Sequence, residues 1–245
     1  MHLDSTVVPC SEISPQLFHE MLALMQASYD GVSRESFEAD FRGKQWVILL
    51  YHSGRLCGFS TQVLAVHQVN DVPVRILFSG DTIIDPRYWG SLALPVAFAR
   101  LGLALQAKDP GSPLYWLLIS KGYKTYRYLP IFYNDFYPRH DLATPVWEKQ
   151  VIDQVAQARF GSRYDSISGC IRGCPGSQRL RPGVADIEDR RLADPHIAFF
   201  LKVNPNHAAG DELVCIARLQ RDNFTNFLRR LIDQTPETTS ACPPL

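Results

Sequence analysis

The sequence predicts an α/β (α+β) protein whose mixed, mostly antiparallel central sheet is flanked by helices and followed by a C-terminal extension. Three observations predict it. Two helical patterns open the chain, three strand patterns joined by tight turns follow within 46–84, and a helix, a fully apolar strand and further helical patterns come after them.

Each element has its own signal. Leu17, Met21, Leu22, Leu24 and Met25 recur at helical spacing within 13–29, and Asp30-Gly31 ends that helix. Ser33 caps a second short helix that sets Phe37 and Phe41 on one face. Residues 46–52 read as a strand, Ser53-Gly54-Arg55 as a hairpin turn, 56–67 as the next strand, 69–71 as a second turn and 72–84 as a third, long strand. A helix follows at 92–106, with Pro95 in its first turns, where proline is tolerated. Residues 114–119 form a short, wholly apolar strand. The aromatic stretch 123–137 starts as a helix that Pro130 should end or kink. Beyond it the patterns predict a helix at 146–160, a Gly/Ser/Arg-rich loop at 161–181, a helix at 194–203, a strand at 212–218 and a last helix at 222–232. Three regions result: a core at 1–141, an extension at 142–233 packed on it, and a fraying tail at 234–245.

Composition narrows the class. The chain has 245 residues, 46% hydrophobic, and its 25 Lys+Arg balance 25 Asp+Glu. That length supports a sizeable core, and the balance gives no reason to expect nucleic acid as a partner. No apolar run approaches the ~18 residues of a membrane span. No basic segment followed by an apolar core opens the chain, so a cytoplasmic location with reduced thiols is expected. Of the six cysteines only Cys170 and Cys174 lie close together, with no partner pair at zinc spacing, so no metal is expected.

The segment 77–99, LFSGDTIIDPRYWGSLALPVAFA, carries the sharpest signal. A buried strand feeds a helix N-terminus through the turn Asp85-Pro86-Arg87, a geometry that offers backbone N–H groups to an anion. This segment and the element order resemble the GCN5-related N-acyltransferase (GNAT) superfamily over about 18–137. Family members commonly show an apolar residue and then x-Pro-x-Tyr-Arg/Gln-Gly at this point, where the chain reads Ile84-Asp85-Pro86-Arg87-Tyr88-Trp89-Gly90. The resemblance implies a thioester donor, either acyl-coenzyme A or an acyl carrier protein, held along Thr82, Ile83 and Ile84 and at Arg87, Trp89, Gly90 and Ser91. Trp89 stands where the family has Arg or Gln, and Leu92 and Leu94 replace small residues, so the pyrophosphate turn is degenerate. The family's strand before this turn splays from its neighbour, and Gly80 is a place for the bulge such a splay needs.

The chemistry the resemblance implies is transfer of an acyl group to a small amine or amino acid. Asp81, a carboxylate inside an apolar strand, is the candidate base or amine anchor. Tyr126 or Tyr128 is the candidate acid at the leaving sulfur. Lys121, Lys124, Arg127 and the pair Arg139-His140 form a candidate basic rim, and His67 and His140 are further base candidates. Many family members pair as homodimers, which extends to this chain as an expectation. Two other readings stay open: a GNAT-like binding or scaffolding module without catalysis, favoured by Leu92 and Leu94, and an enzyme using the same cleft for another reaction, such as decarboxylation of an acyl thioester.

Overall fold

The computed structural model describes residues 3–173, 179–180 and 189–235. Cys174, part of the expected loop at 161–181 and nearly all of the expected tail lie outside the described residues.

The chain starts with a strand the sequence reading missed, β1 (Asp4–Pro9), which pairs antiparallel with β3 (Trp46–His52). It is short, has no alternating pattern and ends in proline, so it leaves little periodic signal. Helix α1 (Pro15–Ser28) is capped by Ser14, and the short β2 (Tyr29–Asp30) follows it. Helix α2 (Arg34–Phe41) has a reciprocal cap between Ser33 and Ser36. Next come β3, β4 (Arg55–Val69) and β5 (Val72–Ile84), an antiparallel meander as expected. Its turns place Ser53, Gly54, Asn70 and Asp71 at positive φ, the backbone that tight hairpins require.

Helix α3 (Ala93–Lys108) returns the chain so that β6 (Leu114–Ser120) runs parallel to β5. Arg75, buried on β5, ties this crossover shut. Its guanidinium donates to the carbonyls of Leu105, Asp109 and Ser112, satisfying the C-terminal end of α3.

The aromatic stretch splits into α4 (Tyr123–Tyr126) and α5 (Tyr128–Phe132). The break falls at Arg127, ahead of Pro130, which then sits in a first turn where its missing N–H costs nothing. Strand β7 (Phe136–Tyr137) and helix α6 (Val146–Phe160) follow. The expected loop at 161–181 is instead partly sheet. It contributes β8 (Tyr164–Asp165), β9 (Cys170–Ile171) and β10 (Arg179–Leu180), pairs too short to leave a pattern. The chain continues through α7 (Pro195–Val203), β11 (Glu212–Arg218) and α8 (Asn226–Gln234).

The main sheet has the order β1-β3-β4-β5-β6-β11-β9-β8, with β7 also on β11, and β5–β6 is its parallel pair. One face packs on α3, through Ile48, Leu50, Leu77, Trp116 and Leu118. The other carries two clusters: α1 and α2 cover Val47, Leu49, Phe59 and Ile83, and α6 covers Ile76, Phe78, Leu117 and Val214. On β5, Gly80 and Asp81 fall between those two clusters, after Phe78 and before Ile83, and the candidate site is built there.

Candidate active site

The parallel ladder between β5 and β6 ends at Phe78 and Leu117. Beyond it, Leu118, Ile119 and Ser120 pair with β11, while β5 runs on to Ile84 beside β4 alone. The two strands part, and among the described residues no strand pairs with that edge of β5. The N–H of Asp85 donates to the carbonyl of Cys57 on β4, so the alternation of the strand turns Thr82 and Ile84 toward the edge that β6 has left.

A bulge sits at the same point. Ser60 stands opposite Thr82 and Gln62 opposite Ser79, so Thr61 faces both Gly80 and Asp81. Ser79 accepts from the Trp116 indole and Thr82 meets the Ser60 hydroxyl, both on the α3 face. The extra residue turns Gly80 and Asp81 together toward α1 and α2. A Cβ at Gly80 would lie 2.6 Å from both Lys44 Cε and Thr61 Oγ1, so a larger residue would displace one of those side chains.

Asp81 meets a cluster of charges drawn from four segments. The Asp40 carboxylate of α2 and the Lys44 ammonium face it, and Lys121, just past β6, faces it from the other strand. Burial, with the repulsion of Asp40 added, raises its carboxyl to about 6. Lys44 is ion-paired to Asp40, and its side chain is only 2% exposed. Lys121 lies 3.5 Å from Glu212 at the start of β11. Burial raises Glu212 as well, with Lys121 opposing it. Tyr29 closes the group. Its hydroxyl is pushed up by burial and by the charges of Asp81 and Glu212. Backbone pairing of β10 with β2 borders this side, Leu180 opposite Tyr29. The sequence reading found Asp81 but missed Tyr29, Asp40, Lys44 and Glu212. These sit in three separate segments, and the fold brings them together.

The donor side is less open. Gly90 adopts φ +90, with no atom near the position of its Cβ, so it serves the turn's backbone. Ser91 Oγ accepts from the N–H of Ala93, and Pro95 removes another first-turn donor. Arg87 forms a forked pair with Asp85, at 2.6 Å for its shortest contact. The Trp89 indole N–H donates to the Ile84 carbonyl at 2.9 Å, which occupies one acceptor of the β5 edge. Lys124 stacks 3.9 Å over the same indole, which places α4 against this turn. The turn therefore suits a phosphate poorly, whereas the edge of β5 keeps the Thr82 groups and the Ile84 N–H.

The tyrosines separate. Tyr126 is fully buried among Phe136, Phe199 and Phe200, and its hydroxyl donates to the Pro138 carbonyl. Tyr128 lies half-buried, one helical turn beyond Lys124, with its ring against Phe132. The cations of the expected basic rim are ion-paired: Lys121 with Glu212, Arg127 with Asp194, and Arg139 with Asp135 and Asp141. His67 pairs with Val74, about 20 Å along β5 from the bulge. His140 rests edge-on against His196. Cys57 is buried, and its thiol donates to the Arg55 carbonyl. Among the described residues no His/Cys/Asp/Glu cluster is arranged to hold a metal ion, and no helix is long and apolar enough to cross a membrane.

No family model matches the chain, and no curated protein matches it by sequence. Solved structures do align with it. A GCN5-related N-acetyltransferase from Kribbella flavida is 14% identical over 55% of this chain and 34% of its own, with a TM-score of 0.38. An acyl-CoA N-acyltransferase from Pseudomonas aeruginosa is 15% identical over 47% of this chain and 79% of its own, at 0.35. The N-acetylglutamate synthase of Neisseria gonorrhoeae, solved with coenzyme A and N-acetyl-glutamate, is 12% identical over 89% of this chain and 35% of its own, at 0.41. The chain thus spans about a third of the Kribbella and Neisseria proteins. Parts of the chain are thus similar to parts of solved N-acetyltransferases and N-acyltransferases, at low identity.

Proposed function

We propose that the chain is an N-acyltransferase that moves an acyl group from a thioester donor to a small amine or amino acid. The observation that carries this reading is the coincidence of two features: β5 leaves β6, and at the same point a bulge turns Asp81 toward the opposite face. That edge of β5 suits an extended thioester arm that bonds to main-chain groups. The Ile84 N–H or the Thr82 N–H on that edge polarises the thioester carbonyl. Asp81, raised to about 6, is ionised at neutral pH and takes the proton of the acceptor ammonium. The amine attacks the carbonyl carbon, the C–N bond forms and its surplus N–H proton passes to water, the C–S bond breaks, and the thiolate leaves with a proton. We assign that proton to Tyr128, because the Tyr126 hydroxyl is already committed to Pro138. Glu212 and Tyr29 border the acceptor side and favour a cationic amine.

The donor is acyl-coenzyme A or an acyl carrier protein. Trp89, Leu92 and Pro95 make the turn a weak phosphate site, which favours a donor bound through its pantetheine arm and acyl chain. The same features favour the second reading, a binding module without turnover. Native mass spectrometry of the purified protein, alone and with acetyl- and long-chain acyl-coenzyme A, tests both. A retained thioester is expected, and Asp81→Asn should keep it while losing at least about 100-fold in transfer. Retention of donor with no transfer to any amine would leave the binding module. Retention of neither coenzyme A thioesters nor an acylated carrier protein would sink the reading.

A further inference from the structure

We propose that Asp40 and Lys44, carried by α2 and the turn after it, are positioning residues for Asp81, acting on the base from inside the bulge without touching the acceptor. This rests on Asp81 being the base of the proposed reaction.

The argument begins with Gly80. Lys44 runs across the place where a side chain on that residue would stand, with Cε 2.6 Å and Nζ 3.1 Å from it. A lysine buried this deeply needs a counter-charge, and Asp40, four residues earlier, supplies it through Oδ2. The bulge therefore receives the ammonium, and its half-exposed counter-carboxylate reaches Asp81 from the same helix end. Thr61 Oγ1, fully buried and without a hydrogen-bond partner, lines the same space, so the ammonium has no other polar anchor on β4. The two groups act on Asp81 in opposite senses. Asp40 repels its charge and accepts a hydrogen bond from its protonated form, whereas Lys44 attracts the charge.

The other groups around Asp81 are accounted for. Lys121 attracts it from beyond β6 and is shared with Glu212 of β11. Tyr29 presents a neutral phenol from β2. Arg159 of α6 acts on Asp40 and stacks on Phe78. Among the described residues, α2 and the turn after it bring both an opposing and a supporting charge to Asp81, so their placement tunes the basicity that burial raises.

The test is titration of Asp81 in the full chain, by carbon NMR of protein labelled at the aspartate carboxyls. Its resonance is identified by its loss in Asp81→Asn. The acid limb of kcat/KM is followed beside it. Asp40→Asn should lower the midpoint and Lys44→Met should raise it, each by about half to one pH unit, and the acid limb should move with it. A purely structural role would shift neither, or would shift both in one direction, and either result overturns the proposal. Asp40→Asn leaves Lys44 without its counter-charge. Should that variant fail to fold, the double variant Asp40→Asn/Lys44→Met removes both charges, and its midpoint should fall below that of Lys44→Met alone; an unchanged midpoint overturns the proposal. Opposite shifts in a protein that turns over no thioester would sink the acyl-transfer reading while leaving the coupling of α2 to Asp81 established.

Discussion

At the scale of single residues, the cost of the site is concentrated in Asp81. Its carboxyl titrates near 6 in the folded chain, against about 3.9 when exposed. The folded state therefore holds this proton more tightly than the unfolded state. Below about pH 4 both states are protonated and Asp81 costs nothing. As pH rises from there through 6, the folded chain loses stability because it must ionise a group in a partly dry place. Asparagine imitates the protonated form and escapes the penalty. Asp81→Asn should thus be more stable than the parent by about 1–2 kcal/mol above pH 7, and equal to it near pH 4. Thermal unfolding at the two pH values checks this. Equal melting temperatures at pH 7.5 would mean that Lys44 and Lys121 already compensate the charge. A base that weakens its own fold is the usual mark of a residue kept for chemistry.

At the scale of elements, β5 does two jobs that conflict. Its first half is an interior strand, paired on both sides and buried from Val74 to Ser79. Its second half must stay attached to β4 while giving up β6. Gly58 is what keeps it attached. A Cβ there would lie 2.6 Å from the Ile83 carbonyl, a backbone atom that cannot swing aside. Gly58→Ala should push β5 from β4 and destabilise the fold by about 2–3 kcal/mol, measured by denaturant unfolding. Gly90→Ala, where nothing crowds the Cβ, should lose only the smaller cost of its positive φ. The elements were legible in the sequence where periodicity or turn chemistry marks them: α1, α2, the meander, α3, β6, α6 and β11. The bulge at Gly80 and the strand exit at Asp85 were legible too, through a glycine and a polar pair inside an apolar run. Strands of two residues were not, because a pattern needs more positions than they have. Nor was the charge cluster. Tyr29, Asp40, Lys44 and Glu212 look like ordinary surface residues until the fold places them together, and the carboxylates that pair the basic rim were hidden for the same reason.

At the scale of the whole molecule, the last part of the chain completes the first. β11, from the 142–233 region, lies between β6 and β9 and supplies Glu212 to the site. We propose to regard that region as an extension of the core and not as a unit of its own. A chain ended at 141 would expose the edge of the apolar strand β6 that pairs with β11. An unpaired, apolar strand edge invites association. Such a truncation should aggregate on expression, and size-exclusion chromatography would show it. A monomeric, cooperatively folding product would restore the boundary as a true domain limit.

The edge of β5 that leaves β6 carries one more consequence. What it offers a ligand is main chain: the N–H and carbonyl groups at Thr82 and the N–H of Ile84. Peptide groups are the same in every residue, so recognition of this kind leaves the side chains free to change. A lineage can exchange Ile for Val along that strand, or fill the neighbouring turn with tryptophan and leucine, without erasing the atoms that bind. Constraint then falls on the places that shape the backbone: Gly58, Gly80 and the crossover held by Arg75. In such a protein the history of the binding site is recorded in its bends, and its alphabet is free to drift.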